Sequence, residues 1–267
     1  MDDFKTYLMG ANLAPNTISA YVIAVQRFKS LYNEITKKNL LAWKSYLIDS
    51  FKAKTVNLKI QALNKYLEFI KKDKLRIKSV KVQQRTFLEN VISDADYVFL
   101  KRKLKKETNK EWYFIVRFLG ATGARISELI KIKVEHVKIG YIDLYTKGGK
   151  IRRIYIPLAL RKETQKWIDE SLKIDTGYIF MNRFGDRITS RGISQQLKNF
   201  AIKYGIDSKV VYPHSFRHRF AKNFLEKYND ISLLADLMGH ESIETTRIYL
   251  RKTAAEQQEI VDKIVTW

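Results

Sequence analysis

The sequence predicts a mainly α-helical protein with one small antiparallel β-sheet, divided into an all-helical N-terminal domain and a larger mixed α/β domain. Three observations carry that prediction. Apolar residues recur at three- and four-residue spacing through most of the 267 residues, the pattern of helices with one buried face. Residues 140–156 instead alternate around the pair Gly148-Gly149, a hairpin signal. Residues 74–90 keep no helical stripe and carry five basic side chains. The stretch 76–90 therefore reads as a basic linker between domains 1–75 and 91–267.

In chain order, Pro15 precedes a helix expected to start at Asn16 or Thr17, with Ile18, Tyr21, Val22, Val25, Phe28 and Leu31 on its apolar face. A second helix is expected over Lys38–Leu47, around Leu40, Leu41, Trp43, Tyr46 and Leu47. A third covers about 54–71, with Val56, Ile60, Leu63, Leu67 and Ile70 inward. Beyond the linker, Ser93 is placed to cap a helix, and Lys110–Leu119 is helical and rich in aromatic side chains. The hairpin follows, with Tyr178-Ile-Phe as a short third strand. Helices are then expected near 160–173, 190–204, 215–227, 231–238, 242–248 and 254–265.

Composition bounds the function. Fifty Lys and Arg against 28 Asp and Glu give a net charge of +22, which opposes compaction unless a polyanion or an anionic surface uses it. The charge is spread along the chain: residues 1–80 hold 15 basic and six acidic side chains. That spread favours several surfaces laid on one polyanion over a single basic tail. No apolar run approaches the roughly 20 residues that span a bilayer, so no membrane partner is expected. The N-terminus shows no secretory pattern, and with no cysteine disulfides and thiol chemistry are excluded. An intracellular protein is expected.

Four histidines occur: His136, His214, His218 and His240. His214, Arg217 and His218 are spaced three and four apart and share one face of a helix. His-x3-His is also a metal-ligand spacing, but the surrounding arginines, including Arg219 and Arg247, would repel a cation. The alternative is an anion site, in which arginine forks hold phosphate oxygens and histidine adds a donor or moves a proton. Spacing alone leaves a catalytic cluster and an ordinary phosphate-contacting basic surface on equal terms. There is no Walker or Rossmann fingerprint.

Five blocks follow one another in order: Gly120-Ala-Thr-Gly-Ala-Arg125-Ile-Ser-Glu128-Leu, Thr146-Lys147-Gly-Gly-Lys150, His214-Ser-Phe-Arg217-His218, Leu237-Met-Gly-His240 and Thr245-Thr-Arg-Ile-Tyr249. One alone would be weak; the ordered set resembles the tyrosine recombinase (phage integrase) family, and in size its Xer-like members. The N-terminal part, with Leu13-Ala-Pro-Asn-Thr-Ile-Ser-Ala-Tyr21, resembles that family's core-binding (SAM-like) DNA-binding domain, so the resemblance spans the chain.

The resemblance implies roles for these positions. Arg125 and Arg217 match the two catalytic arginines, Lys147 the hairpin lysine, and His214 the histidine paired with Arg217. His240 matches a position that some members fill with tryptophan, and Tyr249 matches the nucleophile. Glu128 and His218 match supporting positions. It further implies cleavage through a 3′-phosphotyrosyl bond and a Holliday junction, with no cofactor and no metal. Paired inverted half-sites on double-stranded DNA would be bound by a homotetramer spanning two duplexes, alone or with a paralogous recombinase or accessory protein. Each chain would close as a C-shaped clamp, its terminal helix 253–267 docking on a neighbour; packing on its own domain is the alternative. The expected setting is the cytoplasm, at the nucleoid. Xer-like dimer resolution is favoured over integration or excision of a mobile element. A topoisomerase-like relaxing enzyme and a non-catalytic basic DNA binder stay open. Tyr204 and Tyr212 are read as packing or phosphate-touching residues, His136 as an ordinary surface or packed residue, and Trp43 and Trp112 as core rather than base-stacking platforms.

Overall fold

The computed structural model describes residues 1–82, 90–145, 151–170, 177–240, 242–250 and 261–265. The chain forms two compact units, Met1–Gln84 and Arg85–Trp267.

Among the described residues the first unit holds four α-helices, α1 (Asp2–Gly10), α2 (Pro15–Leu31), α3 (Lys37–Ser50) and α4 (Ala53–Phe69), and a short 3-10 turn, Asp73–Leu75. Sequence reasoning did not single out α1, which seats Phe4 edge-on against Tyr66 at 5.0 Å. Pro15 begins α2 rather than preceding it, because its fixed φ and missing N–H suit a first helical residue. Thr36 caps α3 by accepting from the Asn39 amide at 3.2 Å. Val25, Phe28, Leu40, Trp43, Ile60, Leu63 and Leu67 are buried as the periodicity requires. Leu31, Leu41 and Tyr46, placed on the same stripes, are exposed, since each lies at the edge of its helix's apolar arc.

The linker needs a correction. Its first half belongs to the first unit: Ile77 is buried in that core and Val80 packs against it. Asn64 and Asn57, two turns apart on α4, act as backbone mimics. The Asn64 side chain accepts from the Ile77 amide at 3.0 Å and donates to its carbonyl at 2.9 Å. Asn57 does the same for Val80, at 2.8 and 2.9 Å. An extended segment is thereby held without a partner strand, satisfying backbone groups that burial would otherwise orphan.

In the second unit, α5 (Asp94–Lys106) is capped by Ser93, which accepts from the Asp96 amide at 3.0 Å. The apolar α6 (Glu111–Thr122) runs through the core and packs against α11. Two short helices that periodicity could not reveal, α7 (Ile126–Leu129) and α8 (Val134–Ile139), lead into the hairpin. Strands β1 (Tyr141–Tyr145) and β2 (Ile151–Tyr155) pair antiparallel, with Ile142 opposite Ile154 and Leu144 opposite Arg152. The expected third strand does not join them: Tyr178 forms an isolated bridge with Lys133. Helices α9 (Leu158–Glu170), α10 (Ser190–Lys203), α11 (Pro213–Tyr228), α12 (Ile231–Met238) and α13 (Ile243–Arg247) follow, and a 3-10 turn, Ile248–Leu250, carries Tyr249. The terminal helix expected at 254–265 lies largely outside the described residues; of its apolar set Val261, Ile264 and Val265 are exposed. No helix among the described residues is long and apolar enough to cross a membrane.

Candidate active site

The C-terminal end of α12 organises the site. Gly239 ends the helix in the left-handed region at φ +60°, which residues with a Cβ rarely adopt. The amides of Gly239 and His240 turn back to the carbonyls of Asp236 and Ala235, at 2.9 and 3.0 Å. That leaves the carbonyls of Leu237, Met238 and Gly239 facing away from the helix, with no partner from it. Arginines from three other elements fill them. Arg152 of β2 donates to Leu237 at 2.9 Å, Arg217 of α11 to Met238 at 2.6 Å, and Arg125, ahead of α7, to Gly239 at 3.0 Å.

Arg125 follows the αL residue Gly123 that ends α6. Its amide donates to Glu128 at 2.7 Å and its guanidinium to the same carboxylate at 2.9 Å. About a third of the Arg125 side chain stays exposed. Arg217 is buried and also donates to the Gly123 carbonyl and, at 3.1 Å, to Nε2 of His240. Burial, then the charges of Arg125 and Arg152, lower its pKa to about 10.

An arginine only donates, so His240 accepts at Nε2, which leaves Nδ1 to donate to the Thr246 hydroxyl at 2.7 Å. Burial, with Arg217 and Arg125 beside it, holds His240 neutral by lowering its pKa to about 4. His218 is also lowered to about 4, by burial and then by His214 and Arg217. Its Nδ1 lies 3.0 Å from the Tyr249 hydroxyl. Tyr249, buried at 8% exposure, stacks near-parallel to His240, with ring centroids 6.5 Å apart. Burial pushes this phenol up to about 12 against the pull of Arg217 and Arg125. His214 packs beside His218 at 6.2 Å between ring centroids, its pKa lowered by burial and then by Arg217 and Arg125.

Seven of the eight residues singled out from sequence, Arg125, Glu128, His214, Arg217, His218, His240 and Tyr249, thus meet in one cluster. Lys147 lies outside the described residues, between the ends of β1 and β2. Arg219 and Arg247 stay apart: the first pairs with Asp94 at 2.5 Å and the second with Glu244 at 2.9 Å. His136 accepts from the Lys133 amide at 2.9 Å, Trp43 is fully buried, and Tyr204 and Trp112 pack on Phe200. Sequence reasoning missed Thr246 and Arg152. Thr246 lies in the Thr245–Tyr249 block, but the spacing there does not single it out from its neighbours. Arg152 was legible: it shares the inward face of β2 with Ile154, where a charge demands a partner.

Chemically, the cluster offers one partly open and two buried guanidinium groups, neutral imidazoles and a protonated phenol. Such a set can hold an anion bearing several oxygens and supply a nucleophile beside it.

Known proteins are similar to this chain over most of its length. The model of the phage integrase family matches residues 105–256, which contain all eight residues. Tyrosine recombinase XerA of Pyrococcus furiosus is 29% identical over 98% of this chain and 93% of its own. Tyrosine recombinase XerD of Oceanobacillus iheyensis is 25% identical, covering 97% and 96%. In fold, the chain is similar to the XerH site-specific recombinase bound to difH substrate, with a TM-score of 0.73 at 19% identity over 96% of this chain and 81% of that one. The matched region exceeds half of the sequence, and the chain belongs to the phage integrase family: it is a Xer-like tyrosine recombinase, an enzyme of site-specific DNA recombination.

Proposed function

We propose that Tyr249 attacks a DNA phosphodiester clamped by Arg125 and Arg217. The phenolic oxygen forms a bond to phosphorus, the bond to the 5′-oxygen breaks, and a 3′-phosphotyrosyl link and a 5′-hydroxyl result. Lys147 delivers the proton to the departing 5′-oxygen. The link conserves the phosphodiester, so attack by a partner strand's 5′-hydroxyl reverses the step and exchanges strands through a Holliday junction. The two guanidinium groups oppose the charge that develops on the non-bridging oxygens, the electrostatic work a metal would otherwise do.

The single observation that carries this reading is the Tyr249 hydroxyl 3.0 Å from His218 inside the arginine cluster. His218 orients the phenol rather than deprotonating it. Burial lowers the imidazole and raises the phenol, so before DNA binds the proton stays on Tyr249. His214, beside His218, takes the proton once the negative phosphate has entered and raised its basicity. His240 turns from Arg217 to a phosphate oxygen once its Nε2 carries the proton, by a tautomer switch in which Nδ1 accepts from the Thr246 hydroxyl instead of donating to it.

The wider reading follows the curated relatives, which are named XerA and XerD. Paired inverted half-sites on two duplexes are held by a homotetramer, with or without a second recombinase or accessory protein, in the cytoplasm at the nucleoid. Val261, Ile264 and Val265 are exposed, in keeping with a terminal helix that docks on a neighbouring protomer. Chromosome or plasmid dimer resolution is the favoured role. Integration or excision of a mobile element is the second reading.

A nicked suicide substrate tests the chemistry. Wild type should trap a covalent protein–DNA adduct, and Tyr249→Phe should trap none. No adduct on any cognate site, or an adduct that survives in Tyr249→Phe, overturns the assignment. Covalent cleavage sites mapped across the host genome separate the two roles: one chromosomal site supports dimer resolution, and ends of a mobile element support integration.

A further inference from the structure

Arg152 is as deeply buried as Arg217, at 4% exposure, and none of the roles above uses it. Both carboxylate oxygens of Glu128 accept from its terminal nitrogen. On its other edge, two nitrogens donate to the Leu237 carbonyl, at 3.2 and 2.9 Å. Glu128 in turn holds the backbone amide and guanidinium of Arg125. A side chain at Gly239 would collide with the Arg152 stem, so the turn that presents His240 is also shaped to this residue. One guanidinium therefore joins β2, the strand that follows Lys147, to the Glu128–Arg125 unit and to the end of α12.

Charge decides what the link does. Glu128 brings one negative charge within 2.9 Å of Arg125. With no second cation, that carboxylate would neutralise Arg125 and weaken its pull on a phosphate. Arg152 supplies the second cation. Glu128 and Arg152 cancel each other, and Arg125 keeps a full positive charge in a low-dielectric site, where it counts most. Lysine cannot do the same, because a single ammonium lacks the planar fork that spans a carboxylate and a carbonyl on opposite edges.

We propose that Arg152 is a positioning residue for strand cleavage: it satisfies Glu128 and the Leu237 carbonyl together, which leaves Arg125 charged and aimed at the reacting phosphate. The inference rests on the reading that Tyr249 attacks a phosphate held by Arg125 and Arg217.

The test follows adduct formation by full-length variants on two nicked substrates of one sequence. One carries an ordinary scissile phosphate and the other a methylphosphonate, which is uncharged and asks less of Arg125. DNA affinity and the thermal midpoint are measured alongside. Arg152→Met should bind DNA as wild type does but form adduct about 100-fold more slowly on the phosphate, the scale of a misplaced catalytic group. The defect should shrink to about tenfold or less on the methylphosphonate, and Arg152→Lys should restore only part of the rate. Because a lone buried carboxylate can unfold a protein, Glu128→Gln with Arg152→Met serves as the second variant. It removes both charges, leaves Arg125 uncompensated, and should cleave the phosphate faster than Arg152→Met alone. Wild-type cleavage by Arg152→Met, an equal loss on both substrates, or a double variant no faster than the single overturns the proposal. Absence of an adduct in wild type overturns the Tyr249 reading and this one with it, so the two failures are distinct.

Discussion

At the scale of single residues, the site runs on groups held away from their ordinary ionisation. His218 and His240 are kept neutral with pKa values near 4, because burial and the arginines beside them penalise the imidazolium. An unfolded histidine titrates near 6.5. Between about 6.5 and 4 the unfolded chain therefore binds more protons than the folded one, and stability must fall as pH falls. Neither histidine costs anything above that window, and the penalty is complete below it. The thermal midpoint of the wild type should drop across this window. His218→Gln, which cannot titrate, should drop less, by about 2 kcal/mol of stability at the acid end. Parallel curves for the two proteins would remove His218 from the account. The same neutrality lets His218 accept from the Tyr249 phenol, so acidification should weaken the fold and the alignment of the nucleophile together.

At the scale of elements, two features do what regular secondary structure could not. The end of α12 leaves three successive carbonyls unpaired within the helix, and each becomes an acceptor for an arginine from a different part of the fold. A helix C-terminus also favours cations through its dipole, so three like charges gather where they would otherwise repel. In the first unit, Asn57 and Asn64 hold the segment at Ile77 and Val80 like rungs of a missing strand. Either asparagine changed to alanine leaves a backbone amide and carbonyl without partners, at a cost of about 1–3 kcal/mol. Amide exchange at Ile77 in Asn64→Ala, and at Val80 in Asn57→Ala, should accelerate correspondingly while α2 and α3 keep their protection. Unchanged exchange would mean that burial of Ile77 alone holds the segment.

For the whole molecule the charge of +22 divides into two uses. A few cations, Arg125, Arg152 and Arg217, are spent inside the cluster. The rest lie on both units and are suited to backbone phosphate, which fixes register on a duplex without reading sequence. Each phosphate neutralised releases counterions, so affinity for DNA should fall steeply with salt. If six to ten phosphates are contacted, the loss between 50 and 200 mM salt is roughly 1,000- to 100,000-fold. A titration of full-length protein against duplex DNA at several salt concentrations checks this. A nearly flat dependence would assign the surface lysines to solvation.

The sequence by itself determined the class of fold, the helical first unit, the hairpin and the ordered motif residues. These depend on local spacing: one period decides which face of an element is apolar, and Gly148-Gly149 marks where a strand returns. Local spacing also explains what was misjudged. The edge of an apolar stripe, as at Leu41, is exposed or buried according to what packs there, and Tyr178 lacks a strand because its partner lies at Lys133. Only the tertiary structure decided that Ile77 belongs to the first core, that His218 rather than His214 meets the Tyr249 hydroxyl, and that Arg152 completes the arginine cluster. Each of these rests on a contact between residues remote in the chain, such as Arg152 with Leu237, 85 positions apart. Periodicity says that a charge points inward, and only the packed chain supplies the carboxylate and carbonyl that receive it.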